Sequence, residues 1–168
     1  SFAKPARAGS TTAAIRLFAA SKPLTGSIAS TYLRSREITR LSDLPALRFH
    51  PRCYYRPNED DDPATAGAFP ALIAAVTDND GVQTGTHRTW LDPSGCAKAK
   101  VASPRRAMGN ILGNAVRFGT AGDVMIAGEG IETMLSLREA LPTMPVAAAT
   151  SSAHLAAILF PPTLRRLY

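Results

Sequence analysis

The chain has 168 residues, which is enough for one compact domain or two small lobes, and 45% of them are hydrophobic, as a buried core requires. No run approaches the roughly 20 apolar residues of a membrane span, and the N-terminus lacks the apolar core of a signal peptide. Cys53 and Cys96 form no C-x-x-C pair, which excludes a zinc ribbon and favours a reduced, cytoplasmic protein.

The net charge of +6 is unevenly distributed. Ten basic and two acidic residues lie in 1–56, one basic and seven acidic in 57–95, and eight basic and four acidic in 96–168. Basic ends around an acidic middle are typical of proteins that bind polyanions such as nucleic acids, although many basic domains bind none.

Residues 10–49 are predicted to be helical. Thr11 and Thr12 offer an N-cap, and apolar residues then recur at roughly helical spacing. The KPLTG stretch at 22–26 interrupts this pattern, so two helices are expected rather than one. A strand is predicted to begin at Leu47.

A loop and a β-hairpin are predicted to follow. The acidic run 58–62 contains no apolar residue and is therefore expected to be solvated and mobile. Strands are predicted at 69–76 and 82–91, joined by a turn at 78–81 with the sequence DNDG.

Side chains of the second hairpin strand are expected to alternate between two faces. Arg88 and Trp90 share one face, and His87 lies on the other, where we expect it to have a structural role. Trp90 either packs in the core, which is favoured, or stacks on a base. Asp78 and Asp80 are interpreted as turn residues.

Residues 123–168 alternate between strand and helix patterns. The predicted strands are 123–127, 146–149 and 164–168, and the predicted helices between them are 131–141 and a segment from Ser151 or Ser152 to Phe160. This alternation predicts a parallel sheet with right-handed crossovers.

Glu129 follows the first of these strands, in the stretch DVMIAGEGIET at 123–133. A carboxylate at the C-terminal tip of a buried strand lies where open α/β sheets build their sites, and it suits a hard divalent cation. The flanking glycines are expected to let the backbone turn sharply. The alternative is that Glu129 and Glu132 only stabilise the start of the following helix through its dipole.

This stretch resembles the first motif of the Toprim fold, which bacterial-type primases, topoisomerases and some nucleases share. In that family, a glutamate after the first strand and a later D-x-D pair handle magnesium and phosphoryl chemistry. The resemblance implies that Glu129 is a catalytic and metal-binding residue and that Glu132 is a second catalytic candidate. No D-x-D pair follows in the sequence. We therefore expect a fragment that ends before this motif, with weak or absent Mg2+ or Mn2+ binding and no activity on its own.

Earlier stretches are similar, in the same order, to the catalytic core of bacterial-type primases. Residues 32–38 (YLRSREI) are similar to the helix that opens this core, with Glu37 in place of the family's glycine. The hairpin at 69–91 and the basic segment at 98–106 are similar to the family's hairpin and nucleic-acid groove. The residues that this resemblance places in a nucleic-acid or nucleotide groove are Arg88, Lys98, Lys100, Arg105 and Arg106.

The predicted fold is thus a mixed α+β or α/β architecture, in which a primase-core-like lobe of helices and a β-hairpin precedes the first half of a Toprim β-α-β-α-β sheet. The expected domains are 1–55 (helical), 56–120 (β-rich and basic) and 121–168 (partial Toprim). The resemblance implies a bacterial, phage or mobile-element DNA primase that makes RNA primers on single-stranded DNA.

Its expected partners are single-stranded DNA, nucleoside triphosphates and a replicative helicase. The alternative is a non-catalytic module that binds nucleic acid or another protein. A Toprim nuclease is disfavoured, because it would lack the opening helices and the basic hairpin.

Overall fold

Two sheets and the helices packed on them make up residues 10–168, which are the part of the chain that the computed structural model describes. The helices are α1 (Thr11–Ala20), α2 (Ile28–Ser35), α3 (Ile131–Ala140) and α4 (Ser152–Ala156). The strands are β1 (Lys22–Pro23), β2 (Leu47–Tyr55), β3 (Gly67–Thr77), β4 (Gln83–Trp90), β5 (Arg105–Gly109), β6 (Val116–Phe118), β7 (Val124–Gly128), β8 (Val146–Ala148) and β9 (Arg166–Leu167). Within this part of the chain, every helix is too short or too polar to cross a membrane.

The first sheet is antiparallel and has the strand order β1-β2-β3-β4-β5. The predicted hairpin is confirmed as β3 and β4. Its turn is held by Asp78, whose Oδ1 accepts hydrogen bonds of 2.9 Å from the N–H groups of Asp80 and Val82. The prediction of Asp78 as a turn residue is therefore confirmed.

The second sheet has the order β6-β8-β7-β9. β7 is parallel to β8 and to β9, as the alternation of strands and helices predicts, whereas β6 joins β8 in the antiparallel direction. Helix α4 is shorter than predicted and ends at Ala156 instead of Phe160. The chain leaves the helix there, and the N–H of Leu159 donates to the carbonyl of Gly113 at 2.9 Å.

The first helix begins with a different cap from the one predicted. Ser10, and neither Thr11 nor Thr12, caps α1, because its side chain accepts a hydrogen bond of 3.1 Å from the N–H of Ala13. Thr11 instead donates its hydroxyl proton to the carbonyl of Thr84 on β4. The predicted interruption between the two helices contains the short edge strand β1.

Helix α2 is followed, after its C-cap Arg36, by Glu37, which has a left-handed backbone conformation with φ of 63°. The N–H of Glu37 donates to the carbonyl of Arg34, and that of Ile38 donates to the carbonyl of Leu33. These two bonds form a Schellman motif, in which the left-handed position usually holds glycine. Glu37 therefore stands in place of the family's glycine at the one position of this motif whose positive φ favours glycine.

The main core lies between the two sheets and includes residues from α2 and α3. A second cluster covers the other face of the first sheet, where Trp90 is fully buried and donates its indole N–H to the carbonyl of Cys53 at 3.1 Å. The prediction that Trp90 packs in the core is confirmed. Helix α1 lies on this same face, and Thr86 on β4 donates to the carbonyl of Ala14.

The acidic run at 58–62 is not wholly solvated, contrary to prediction. The side chain of Asp61 is only 1% exposed and accepts hydrogen bonds from the Tyr55 hydroxyl at 2.6 Å and from the N–H groups of Asn58 and Ala102. A carboxylate can be enclosed when several donors replace its water. Asp61 therefore fixes the loop to the first sheet.

The three predicted domains stay a prediction. In the structure, the first sheet combines β2, from the predicted helical region, with β3 to β5, from the predicted β-rich lobe. The second sheet combines β6 with the strands after residue 121.

Candidate active-site cleft

A narrow cleft of about 60 Å³ lies between the two sheets. The first sheet contributes Leu72, His87, Thr89 and Arg105. The end of β7, the first turn of α3 and the end of β8 contribute Glu129, Gly130, Ile131, Glu132, Thr133 and Thr150. The carboxyl ends of two parallel strands thus meet a basic side chain from another sheet, which is a common place for a ligand in α/β proteins.

Glu129 is positioned by the backbone of the two residues that follow β8. Its carbonyl accepts a hydrogen bond of 2.8 Å from the N–H of Thr150, and Gly128 accepts one of 2.9 Å from Ala149. Its side chain is exposed at the cleft. Thr150 has φ of 73°, which is unfavourable for a β-branched residue. Strain of this kind is often found at functional sites, and here it lies directly beside the predicted catalytic residue.

The two glycines around Glu129 have roles other than the predicted sharp turn, because neither has a positive φ. A Cβ on Gly128 would lie 2.3 Å from Cε of Met134, so this glycine lets α3 pack closely on β7. Gly130 is the N-cap of α3 and provides no side-chain cap. Among residues 10–168, the first N–H groups of α3 therefore have neither an intrahelical partner nor a capping side chain at Gly130.

Glu132 is held by two side chains that come earlier in the chain. Its Oε1 accepts a hydrogen bond of 2.6 Å from the Tyr32 hydroxyl and lies 3.3 Å from Nζ of Lys98. Burial, followed by the hydrogen bond to Glu132, raises the pKa of Tyr32 above its usual value, so the phenol stays protonated. The charge of Glu132 is thus compensated by Lys98, which the sequence had placed in a nucleic-acid groove.

His87 lies in this cleft, on the face of β4 opposite Trp90. It is 6% exposed, and its Nδ1 is buried without a hydrogen-bond partner among residues 10–168. Burial and the charges of Arg105 and Arg88 lower the pKa of His87 to about 3, so the imidazole is neutral. Sequence reasoning gave His87 only a structural role. The sequence did carry one signal for the cleft: strand periodicity puts His87 on the face of β4 opposite Trp90, and this face is the one that meets the second sheet.

The predicted basic residues do not share one wall. Arg105 lies at the cleft. Arg106 is the next residue on β5, and it pairs with Arg88 on β4, so both of these arginines point to the other face of the sheet. The guanidinium of Arg88 lies 4.8 Å from the ring centroid of Trp90. The prediction that these three arginines line a single groove is corrected by the alternation of strand side chains. Lys100 is exposed in the loop between β4 and β5.

Arg106 forms hydrogen bonds on the face of the first sheet that points away from the cleft. It donates to the carbonyl of Arg56 at 2.6 Å and to the Tyr55 hydroxyl at 2.7 Å, and it lies 3.7 Å from the Asp61 carboxylate. Its guanidinium also stacks 4.3 Å from the centroid of the Tyr55 ring. Arg106 therefore acts as a structural anchor of the acidic loop.

The fit of a divalent cation depends on how many oxygen ligands converge. Within residues 10–168, no group of three or more His, Cys, Asp or Glu side chains is arranged to hold a metal ion. Glu129 supplies a free carboxylate, but that of Glu132 is taken by Tyr32 and Lys98. Because Mg2+ needs several oxygen ligands, these residues do not by themselves form a magnesium site.

Comparison with known families divides the chain at the end of β6. Residues 8–118 match a family model described as a domain of unknown function (DUF7146). The chain belongs to the DUF7146 family. Residues 124–168 match the Toprim domain, so this DUF7146 protein also contains a Toprim domain. No curated protein and no solved structure matches the chain.

The cleft lies between these two matched regions. The DUF7146 region contributes His87 and Arg105, and the Toprim region contributes Glu129 and the first turn of α3. The Toprim domain indicates a nucleic-acid-processing role, of the kind found in primases, nucleases and topoisomerases. Toprim domains typically bind Mg2+. The candidate site of this DUF7146 protein is therefore composite, because neither region supplies both the carboxylate and the basic side chain.

Proposed function

We propose that this chain is part of a DNA primase of the Toprim type, which joins ribonucleotides on a single-stranded DNA template. The observation that carries the proposal is the position of Glu129 at the carboxyl end of β7, in the cleft that Arg105 lines from the first sheet. The Toprim match supports a nucleic-acid substrate. The order of the primase-like stretches along the sequence favours primer synthesis over cleavage.

In this proposal, Glu129 is the general base. Its exposed carboxylate accepts the proton of the 3′-hydroxyl group that attacks the α-phosphorus of the incoming nucleoside triphosphate. The bond between this phosphorus and the oxygen that bridges to the β-phosphorus breaks, and pyrophosphate leaves. Arg105 and the first N–H groups of α3 stabilise the negative charge on the phosphoryl oxygens, since both carry positive charge or partial positive charge. Glu132 positions the first turn of α3 through Tyr32 and Lys98 and does not itself contact the substrate.

The proposal includes a dependence on Mg2+, which Toprim domains typically bind. It also includes nucleoside triphosphates as substrates, Lys100 as a phosphate contact, a replicative helicase as a partner, a cytoplasmic location and a mobile-element origin. The cytoplasmic location comes from the cysteine content and the other points come from the resemblance to primases; all of them stay predictions.

The test is template-dependent primer synthesis by the whole natural protein that contains this sequence. Glu129→Gln keeps the shape of the side chain and removes the base, so we expect activity to fall by about 100-fold or more. Glu59→Gln is the matched control, because Glu59 is exposed and lies in the acidic loop. Full activity of the Glu129→Gln protein would disprove the assignment of the general base.

The alternative is a non-catalytic nucleic-acid-binding module, which is favoured by the exposed basic side chains Lys100 and Arg105. This function predicts salt-sensitive binding to single-stranded DNA with no need for a divalent cation. If the whole protein binds DNA in the presence of a chelator and makes no primer under any metal condition, the binding function replaces the primase.

A further inference from the structure

We propose that the N-terminus of α3, Arg105 and His87 form a subsite for one phosphoryl group in the cleft beside Glu129. This inference rests on the function proposed above, because it assigns the ligand chemistry of the same cleft. It adds a ligand-binding residue, His87, to Arg105 and the backbone of α3, and it limits the ligand of these groups to one phosphoryl group.

The first support is the free end of α3. This helix has ten residues, and its N-cap is Gly130, which makes no side-chain capping bond. The first-turn residues line the cleft, so their unpaired N–H groups and the positive end of the helix dipole lie at its wall. Uncapped helix N-termini of this kind bind phosphate and other anions.

The second, independent support is His87. It is 6% exposed, it lines the same cleft, and its Nδ1 has no hydrogen-bond partner within the described part of the chain. A buried polar group without a partner costs free energy, and most such groups have a ligand or a water. A neutral imidazole has one N–H donor, and a phosphoryl oxygen is a suitable acceptor.

The third support is the balance of charge. Arg105 is exposed and forms no ion pair within residues 10–168, so its five N–H donors are available to an anion. Glu132 is paired with Lys98, which leaves Glu129 as the free carboxylate of the cleft. Phosphate binding is therefore expected to be opposed by Glu129 and favoured by the groups around it.

The mouth of the cleft faces solvent where the side chain of Glu129 is exposed. A sugar or base attached to the bound phosphoryl group would therefore extend towards this side.

The test is titration of the chain with inorganic phosphate and with pyrophosphate, without divalent cations, followed by NMR chemical shifts and calorimetry. We expect saturable shifts in the first-turn amides of α3, and Arg105→Ala should weaken binding by about 10-fold, as loss of a charged hydrogen bond implies. Arg52→Ala is the matched control, because Arg52 is an exposed arginine of the same sheet outside the cleft. Equal weakening by both variants would overturn the subsite.

Two further variants make the test specific. His87→Leu should also weaken phosphate binding, and a folded amide spectrum of this variant is required before its affinity is used. Glu129→Gln should strengthen binding several-fold, because it removes a like charge from the cleft. Weaker phosphate binding by Glu129→Gln would overturn the proposed charge balance.

Competition identifies the source of the phosphoryl group. Displacement of inorganic phosphate by a nucleoside triphosphate assigns the subsite to the nucleotide, and displacement by a 5′-phosphorylated oligonucleotide assigns it to the strand. Displacement by neither overturns the inference. The proposed function can fail separately: the Glu129→Gln protein could bind phosphate more tightly while the wild-type protein makes no primer, which would retain the subsite and reject the primase.

Discussion

Tyr32 and Glu132 lie 100 residues apart in the sequence and are joined by a hydrogen bond of 2.6 Å from the phenolic hydroxyl to Oε1. Tyr32 is on α2 and is fully buried, whereas Glu132 is in the first turn of α3 and lines the cleft. This bond fixes the helix that carries the candidate phosphate site to the N-terminal half of the chain. Lys98, 3.3 Å from the same oxygen, adds a second point of attachment.

Removal of this hydrogen bond is expected to destabilise the protein. Tyr32→Phe keeps the buried ring and removes the phenolic donor to Glu132, and hydrogen bonds to charged groups contribute about 1.5–3 kcal/mol. We therefore expect the free energy of unfolding to fall by about 2 kcal/mol, as measured by urea denaturation.

A double-mutant cycle with Glu132→Gln provides the control. If the two side chains interact as the structure shows, the loss in the double variant is smaller than the sum of the two single losses. Additive losses would show that the hydrogen bond contributes no coupling in solution.

Arg105 and Arg106 are adjacent in sequence, but replacement by alanine is expected to change the free energy of unfolding strongly only at Arg106. Arg106→Ala removes charged hydrogen bonds to the Tyr55 hydroxyl and the Arg56 carbonyl, so we expect a loss of stability of about 2 kcal/mol. Arg105→Ala should change the free energy of unfolding by less than about 0.5 kcal/mol, as is usual at exposed positions. Thermal unfolding of both variants decides this, and equal losses would contradict the assignment of the two faces.

The lowered pKa of Asp61 leads us to expect that the stability of the protein depends on pH. Burial raises the pKa of Asp61, but hydrogen bonds from Tyr55, Ala102 and Asn58 and the charge of Arg106 outweigh it and hold the pKa below its usual value. A carboxyl group whose pKa is lowered by folding stabilises the folded state above its unfolded pKa of about 4, and this stability is lost as the pH falls through the folded pKa.

We expect Asp61→Asn to reduce the loss of stability between pH 5 and pH 3, as followed by urea denaturation at each pH. Asp60→Asn is the matched control, because Asp60 is the exposed neighbour in the same loop. An unchanged pH profile in Asp61→Asn would show that the carboxylate is not held as the structure indicates.

Glu37→Gly is expected to stabilise the protein. Glu37 has φ of 63° at the left-handed end of α2, where a non-glycine residue costs about 1–2 kcal/mol. Part of this gain is lost because glycine increases the entropy of the unfolded chain by about 0.4–1 kcal/mol. The net gain should be about 0.5–1 kcal/mol in urea denaturation. Glu37→Ala keeps the same backbone strain, and a gain equal to that of glycine would point to another cause.

Much of the secondary structure could be predicted because its signals are local. The hairpin around Asp78, the strand before Glu129 and the burial of Trp90 all follow from short patterns of apolar and turn residues. Glu129 could be predicted in the same way, because an apolar stretch followed directly by a carboxylate can be recognised from a few adjacent residues. The shorter α4 was missed because its end depends on the bond between Leu159 and Gly113.

The sequence by itself determined that Glu129 follows a strand and that His87 points to the face opposite Arg88 and Trp90, because strand periodicity is a property of the backbone. Only the tertiary structure decided that Arg105, and not Arg106, lines the cleft with Glu129, and that Glu132 is held by Tyr32 and Lys98. It also decided that Nδ1 of His87 is buried there without a hydrogen-bond partner among residues 10–168. The cleft joins two sheets that are separate in sequence. Such contacts depend on how the sheets pack around their shared core, which no local pattern encodes.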